Sequence, residues 1–236
     1  MIDFDQAWSA VEGVDGWMTE GQARALYDTA RACPRGGTIV EIGSFRGRST
    51  IVLALAAPRG AQVVAIDPHA GNDRGPQEID GYADQAADDH AAFLANLEAA
   101  GVAARVRHLR AFSNEALDHV VGNIDVLYID GAHRYGPARE DIRDWGARVS
   151  DGGTMLIHDS FSSIGVTTAV MRELLWSERF RYAGRTRSLS IYRATAEPER
   201  AASAARQLAQ LPWFVRNVAL KTLITAKVLP NAEWPY

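Results

Sequence analysis

Between residues 38 and 157 the chain repeats one rhythm, a short apolar run followed by a segment of helical length. The runs are Thr38–Ile42 (TIVEI), Gln62–Ile66 (QVVAI), Val106–Leu109 (VRHL), Ile124–Ile129 (IDVLYI) and Thr154–Ile157 (TMLI). Each is partly β-branched and too short for a helix, as a strand buried on both faces should be. The intervening stretches Ser49–Ala56, His90–Ala100, Asn114–Val120 and Ala138–Val149 have helical character. Strand, helix, strand at this spacing predicts right-handed crossovers and an α/β fold with a doubly wound, mainly parallel sheet. Phe180–Arg193 (FRYAGRTRSLSIYR), with a turn-like Gly184 and an alternating SLSIYR run, predicts an antiparallel hairpin closing that sheet. No internal repeat is present.

Composition narrows the class. With 236 residues, 47% of them apolar, the chain can bury a core as one domain. We place that domain at residues 1–195 and a helical tail at 196–236. A net charge of -4 with scattered Lys and Arg gives no nucleic-acid partner. Cys33 is the only cysteine, which excludes a disulfide framework and a thiolate zinc site. No charged-then-apolar leader opens the sequence, and no apolar stretch reaches the roughly 18 residues of a spanning helix. A cytoplasmic protein without stable membrane insertion is the expectation. In the tail, Leu208, Leu211, Phe214, Val215, Val218 and Leu223 are interleaved with Arg216, Lys221 and Lys227. That pattern suits a helix packed on its own domain, in preference to membrane-surface binding, and also a cap over a site or a homodimer contact. Pro68–Asp89 is long, polar and glycine-rich, the composition of either a lid or a disordered loop.

In an open parallel sheet, ligands bind beyond the carboxyl ends of the strands. The first run ends in VEIGSFRGRST, residues 40–50. Gly43 and Gly47 allow a tight turn and close approach to a ligand. Ser49 and Thr50 can cap the next helix, whose N-terminus favours polar or anionic groups. The GxxxG spacing does not meet the dinucleotide pattern GxGxxG, so a nucleoside ligand without a pyrophosphate is favoured over NAD. Glu41, an acid in an apolar strand, is expected to reach a cation or amide at the site; the alternative is a carboxylate held by backbone amides. Asp67 ends the second strand, where an acid accepts the hydroxyls of a ribose in both NAD and S-adenosylmethionine sites. Ala111, Phe112 and Ser113 follow the third strand and can flank an adenine, unless Phe112 is core.

Taken together, EIGSFRGRST on the first strand, an acid ending the second, IDGAHRY on the fourth and HD ending the fifth resemble the class I S-adenosylmethionine-dependent methyltransferases. Within them, the chain is similar to small O-methyltransferases of the catechol type and to those that methylate sugars in antibiotics and polysaccharides. The resemblance covers about residues 15–193. It implies a Rossmann-like methyltransferase fold, with Glu41, Gly43, Ser44 and Gly47 around the methionine moiety, Asp67 on the ribose and Ala111-Phe112 on the adenine. It also implies that the turn Gly16-Trp17-Met18-Thr19 closes over the cofactor, Met18 included, and that Asp130 borders it.

Two acids, Asp130 and Asp159, end neighbouring strands and should share one rim, a pairing of hard oxygens that suits Mg²⁺ or a similar divalent ion. In metal-dependent relatives a third ligand lies beside the second acid; here those neighbours are His158 and Ser160. His133 stands where catechol-type relatives carry a catalytic base, and an imidazole titrating near neutrality can take a proton from a sugar or small-metabolite hydroxyl. A loop-capping role for His133 is the alternative. His69 belongs to the suspected lid, whereas His90, His108 and His119 read as structural. Two other functions stay open: a Rossmann-type NAD-dependent oxidoreductase, disfavoured by the glycine spacing, and a non-catalytic nucleoside-binding module, in which Asp130, His133 and Asp159 would not converge.

Overall fold

The computed structural model describes residues 2–70 and 83–228. In-out alternation along each apolar run builds the sheet. In β1 (Thr38–Ile42), Ile39 packs into one apolar layer while Val40 and Ile42 pack into the other. In β2 (Gln62–Ile66), Val63 and Ala65 separate from Val64 and Ile66 in the same way. In β4 (Ile124–Ile129), so do Val126 and Tyr128 from Leu127 and Ile129. A strand apolar on both faces must be covered twice. Leu26 of α2 (Glu20–Arg31), Ile51 and Leu53 of α3 (Arg48–Ala56) and Phe93 of α4 (Ala83–Ala99) fill the first layer. Ala138 of α6 (Tyr135–Glu140) and Val166 and Val170 of α7 (Ile164–Leu174) fill the second.

With β3 (Val106–Leu109), β5 (Val149–Ile157), β6 (Phe180–Thr186) and β7 (Leu189–Ala194), the described residues form a seven-stranded sheet of order β3-β2-β1-β4-β5-β7-β6. It is parallel from β3 to β5 and antiparallel at β7 and β6. This is the mainly parallel, doubly wound sheet with a closing hairpin that the sequence predicts. Strand order reverses between β1 and β4, which opens a crevice at their carboxyl ends.

Several local expectations are corrected. The hairpin turns at Arg187-Ser188, with Arg187 at φ 53°, because Thr186 pairs with Leu189. Gly184 instead marks an irregularity in the β6–β7 register, at φ 131°. β5 starts at Val149, five residues before the TMLI run. The helix expected at Ala138–Val149 starts at Tyr135, passes through a π turn at Asp141–Trp145 and ends as a 3₁₀ turn at Gly146–Arg148. α4 begins at Ala83, so the last part of the Pro68–Asp89 stretch is helix, and residues 71–82 lie outside the described residues. The shorter α1 (Phe4–Ser9) and α5 (Ser113–Ala116) complete the domain.

The tail forms α8 (Arg200–Leu208) and α9 (Leu211–Thr225) and is fastened to the hairpin. The Tyr182 amide donates to Ser203 Oγ at 2.9 Å, and the Tyr192 hydroxyl donates to Gln207 Oε1 at 3.1 Å. Asn217 of α9 donates to the carbonyl of Phe161 at 3.0 Å, which brings α9 to the loop after β5. No described helix is long and apolar enough to cross a membrane.

Candidate active site at the strand ends

β1 and β4 meet closely where they end. The Gly43 amide donates to Ile66 O and the Asp130 amide to Ile42 O, both at 2.8 Å. Gly43 adopts φ +86°, and a Cβ there would sit 2.2 Å from the Asp130 carbonyl oxygen. Only glycine lets the two loops cross at this separation. Gly47, at φ +87°, caps α3 with no side-chain bond, which corrects the capping role expected of Ser49 and Thr50. Their hydroxyls turn inward and donate one to each oxygen of Glu41, which is fully buried. Among the described residues these two hydroxyls hold the Glu41 carboxyl, in place of the backbone amides of the alternative reading. Burial, only partly offset by those two hydroxyls, pushes its carboxyl up to about 8.

Asp67 ends β2 as expected, with its carboxylate engaged by backbone. It accepts from the amides of Ser44 at 2.9 Å, Phe45 at 2.8 Å and His69 at 2.7 Å. Ser44 is buried, and its hydroxyl has no hydrogen-bond partner among the described residues. Phe112 is 43% exposed, which removes the core alternative and leaves its ring open to stack on a ligand. Met18 is buried in the first apolar layer. Its neighbour Trp17 is exposed and tilts over Phe45 with ring centroids 5.3 Å apart, so Trp17 covers the glycine loop.

The acids and histidines of the fourth and fifth strand ends converge. His133 Nε2 lies 2.9 Å from Asp159 Oδ2, and His158 Nδ1 lies 3.0 Å from Asp130 Oδ1 and 3.8 Å from Asp159 Oδ2. The Tyr128 hydroxyl donates to the other Asp130 oxygen at 2.7 Å. Behind them, the Gln22 amide nitrogen stands 3.2 Å from His158 Nε2 and donates to Ser188 Oγ at 3.0 Å. Gln22 is oriented by a capping box, since its Oε1 accepts the Thr19 amide at 2.8 Å. A shallow cleft is lined by Asp130, Gly131, His133, Ile142, His158 and Val166.

The charges of this cluster are mutually set. Burial lowers the His158 pKa, but Asp130 and Asp159 outweigh it and hold it up to about 9. Burial likewise opposes ionisation of Asp159, yet His158, His133 and Lys221 keep its carboxyl far below the usual carboxylate range. His133 is raised above its ordinary value, first by its hydrogen bond to Asp159. Its side chain is 49% exposed, so the ring is reachable from the cleft. The Lys221 charge on α9 acts on Asp159 electrostatically.

Residues 40–160, just over half of the chain, match the protein family described as a methyltransferase domain. The chain belongs to that methyltransferase family. Solved structures share its fold at low identity. The O-methyltransferase TomG of Streptomyces achromogenes, in complex with S-adenosylmethionine, is 18% identical with TM-score 0.55, over 81% of this chain and 89% of that one. The Bacillus cereus O-methyltransferase, in complex with S-adenosylhomocysteine, is 18% identical with TM-score 0.56, over 80% and 86%. The S-adenosylhomocysteine-bound methyltransferase PaMTH1 of Podospora anserina is 17% identical with TM-score 0.56, over 81% and 87%.

A nucleoside cofactor fits the chemistry of the groups that follow β1, β2 and β3 in this methyltransferase: the close-approach Gly43, the buried Ser44 hydroxyl, the Asp67 carboxylate and the exposed Phe112 ring. A divalent ion at the Asp130/Asp159 rim does not fit the side chains as they stand. His158 Nδ1 occupies the position between the two carboxylates and supplies the positive charge there. Ser160 is fully buried and gives its hydroxyl to Ile157 O at 3.0 Å, and His158 has both ring nitrogens facing protein groups. Neither is a metal ligand in this arrangement, contrary to the expectation from sequence. Gln22, Tyr128, Ser188 and Lys221 were missed; the T-x-x-Q spacing of Thr19 and Gln22 was the one signal pointing to any of them.

Proposed function

We propose that this methyltransferase moves a methyl group from S-adenosylmethionine to a hydroxyl of a sugar, oligosaccharide or related small metabolite, with His133 as base. The observation that carries the reading is the His133–Asp159 pair at 2.9 Å, beside the cleft and just beyond the carboxyl ends of β4 and β5. When bound, S-adenosylmethionine supplies an electrophilic methyl on a sulfonium, attacked in line by the acceptor oxygen. Asp159, accepting from Nε2–H, fixes the His133 tautomer and leaves Nδ1 to take the hydroxyl proton as the oxygen attacks. Asp159 then stabilises the imidazolium that forms. Gly43 and Ser44 line the cofactor side, while Asp130 and cationic His158 order the rim between cofactor and acceptor.

Support for the cofactor comes from the fold shared with proteins solved with S-adenosylmethionine or S-adenosylhomocysteine. The sugar acceptor rests on the resemblance of IDGAHRY and its partner motifs to sugar O-methyltransferases, most narrowly the type that methylates the 1-hydroxyl in methylmannose polysaccharide synthesis. Metal assistance is not carried into this reading, because His158 already neutralises the rim. Convergence of Asp130, His133, His158 and Asp159 argues against a passive nucleoside-binding module. The reading includes a cytoplasmic homodimer with no nucleic-acid partner; Leu211, Val215 and Leu223 of α9 are exposed and offer it an apolar face.

Calorimetry with S-adenosylhomocysteine and with NAD tests the cofactor: tight binding of the first and none of the second is expected, and the reverse overturns the reading. A methyl-transfer screen over sugars, phenols and hydroxy-acids tests the acceptor, with turnover on sugars expected and turnover confined to phenols contradicting it.

A further inference from the structure

A second cluster of imidazoles lies at the other side of the sheet, where β2 ends, β3 runs and α4 crosses. The rings of His69, His90 and His108 have centroids 5.0, 5.2 and 5.2 Å apart, and one nitrogen from each lies within 4.8 Å of the others. Proton bookkeeping decides what these nitrogens offer. His69 Nε2 sits 2.7 Å from the Phe45 carbonyl and must donate to it, which leaves Nδ1 as a bare lone pair. That side chain is 1% exposed, and Nδ1 has no hydrogen-bond partner among the described residues. Asp67 Oδ1, 3.6 Å from it, is another acceptor. The His108 ring is hydrogen-bonded to the backbone of Asp67, while its buried Nε2 has no hydrogen-bond partner among the described residues.

Two buried imidazole lone pairs, each with its opposite ring nitrogen tied to backbone, are costly to leave unmatched. Orientation of one ring nitrogen by a backbone carbonyl, with the other nitrogen bare, is how proteins prepare a histidine to ligate a metal. Protons do not fill the gap well. Burial and the neighbouring histidines push His108 down to about 4, and burial, Arg110 and His69 lower His90. The neutral form that results is the one a metal requires.

We propose that His69, His90 and His108 form a three-imidazole site for a borderline divalent transition metal of the Zn²⁺ type. Imidazole suits Zn²⁺, Co²⁺, Ni²⁺ and Cu²⁺ and is a poor host for Mg²⁺. Three protein nitrogens leave a fourth position for water or for Asp67 Oδ1 beside His69. His90 and His108 are partly exposed, which gives the ion a path in. A metal here pins the end of β2 to α4 and β3 and holds Asp67 in register with the glycine loop. The site uses none of the residues assigned to methyl transfer except Asp67, so it stands or falls separately from that reading.

The test uses the full chain stripped with a chelator, dialysed, and titrated with Zn²⁺ by calorimetry and with Co²⁺ by absorption. A single equivalent of Zn²⁺ should bind and raise Tm, and Co²⁺ should give the strong visible bands of a four-coordinate nitrogen-rich site. His90→Asn and His108→Asn should each weaken Zn²⁺ by at least about tenfold, while His133→Asn at the other rim should not. Because His90 lies partly exposed on α4, its variant keeps the fold, checked by circular dichroism. No stoichiometric Zn²⁺ uptake by the parent, or uptake equal in His90→Asn and His108→Asn, overturns the proposal.

Discussion

His133 Nε2 and Asp159 Oδ2 stand 2.9 Å apart although they leave different strands, because β4 and β5 are parallel neighbours that deliver both to one rim. The contact raises the His133 pKa, and only the neutral ring can accept a proton. kcat/KM should therefore climb as pH rises through that raised value, above the ordinary 6.5. In Asp159→Asn the climb should move to lower pH and end on a lower plateau. A limb that stays in place would remove Asp159 as the partner that tunes His133.

His133→Ala should cut kcat by about 10²- to 10⁴-fold, the usual worth of a general base. The affinity for S-adenosylhomocysteine, read by calorimetry, should change less than about threefold. A large loss of cofactor binding would make His133 a structural residue.

Glu41 and His158 both titrate higher in the fold than outside it, Glu41 from 4.5 to about 8 and His158 from 6.5 to about 9. Each prefers its protonated form in the folded chain. The contribution of Glu41 is whole below about 4.5 and gone above about 8; that of His158 is whole below about 6.5 and gone above about 9. Stability should fall as pH rises from 5 to 9. Glu41→Gln, which copies the protonated carboxyl, should flatten the part of that fall below pH 8. Thermal melts across the range check it, and identical slopes in parent and variant refute the assignment.

Gly165→Ala should harm the site through backbone alone. A Cβ at Gly165 would lie 2.2 Å from the His133 carbonyl oxygen and 2.8 Å from the Tyr135 amide nitrogen. Either α7 retreats or the His133 loop shifts, at about 1–3 kcal/mol. kcat should drop with little change in cofactor affinity. Gly136→Ala, where an added Cβ meets nothing within 4 Å, is the control.

Because cationic His158 bridges Asp130 and Asp159, adding Mg²⁺ to metal-stripped protein should leave kcat within about twofold. A strong Mg²⁺ requirement would mean that the imidazole leaves the rim and the carboxylates ligate the ion.

Strand positions were legible because they follow from side-chain alternation alone: TIVEI, QVVAI, VRHL and IDVLYI match β1 to β4 residue for residue. The acids and histidine at the rim were legible for the same reason, since parallel neighbours must end side by side. What was not legible depends on long-range partners or on backbone handedness. Asp159 and Phe161 both adopt positive φ, 54° and 57°, and the turn they make sends the Ser160 hydroxyl back to Ile157 rather than outward. Nothing in the string HDSF announces that turn. Gln22 meets His158 across 136 residues, and the Lys221 charge acts on Asp159 from a helix whose docking depends on the hairpin. His90 and His108, read as structural, show the same limit: their significance appears only once α4 is laid against β3.

A carboxylate offers about four lone-pair positions, and three at Asp67 are already taken by the amides of Ser44, Phe45 and His69. A ribose presenting two hydroxyls to Asp67 therefore arrives one acceptor short and must evict an amide of the glycine loop or of His69. Cofactor capture then has two kinetic stages, encounter followed by a loop exchange whose rate does not depend on cofactor concentration. A saturating, rather than linear, dependence of the observed binding rate on cofactor is the trace it leaves in stopped flow.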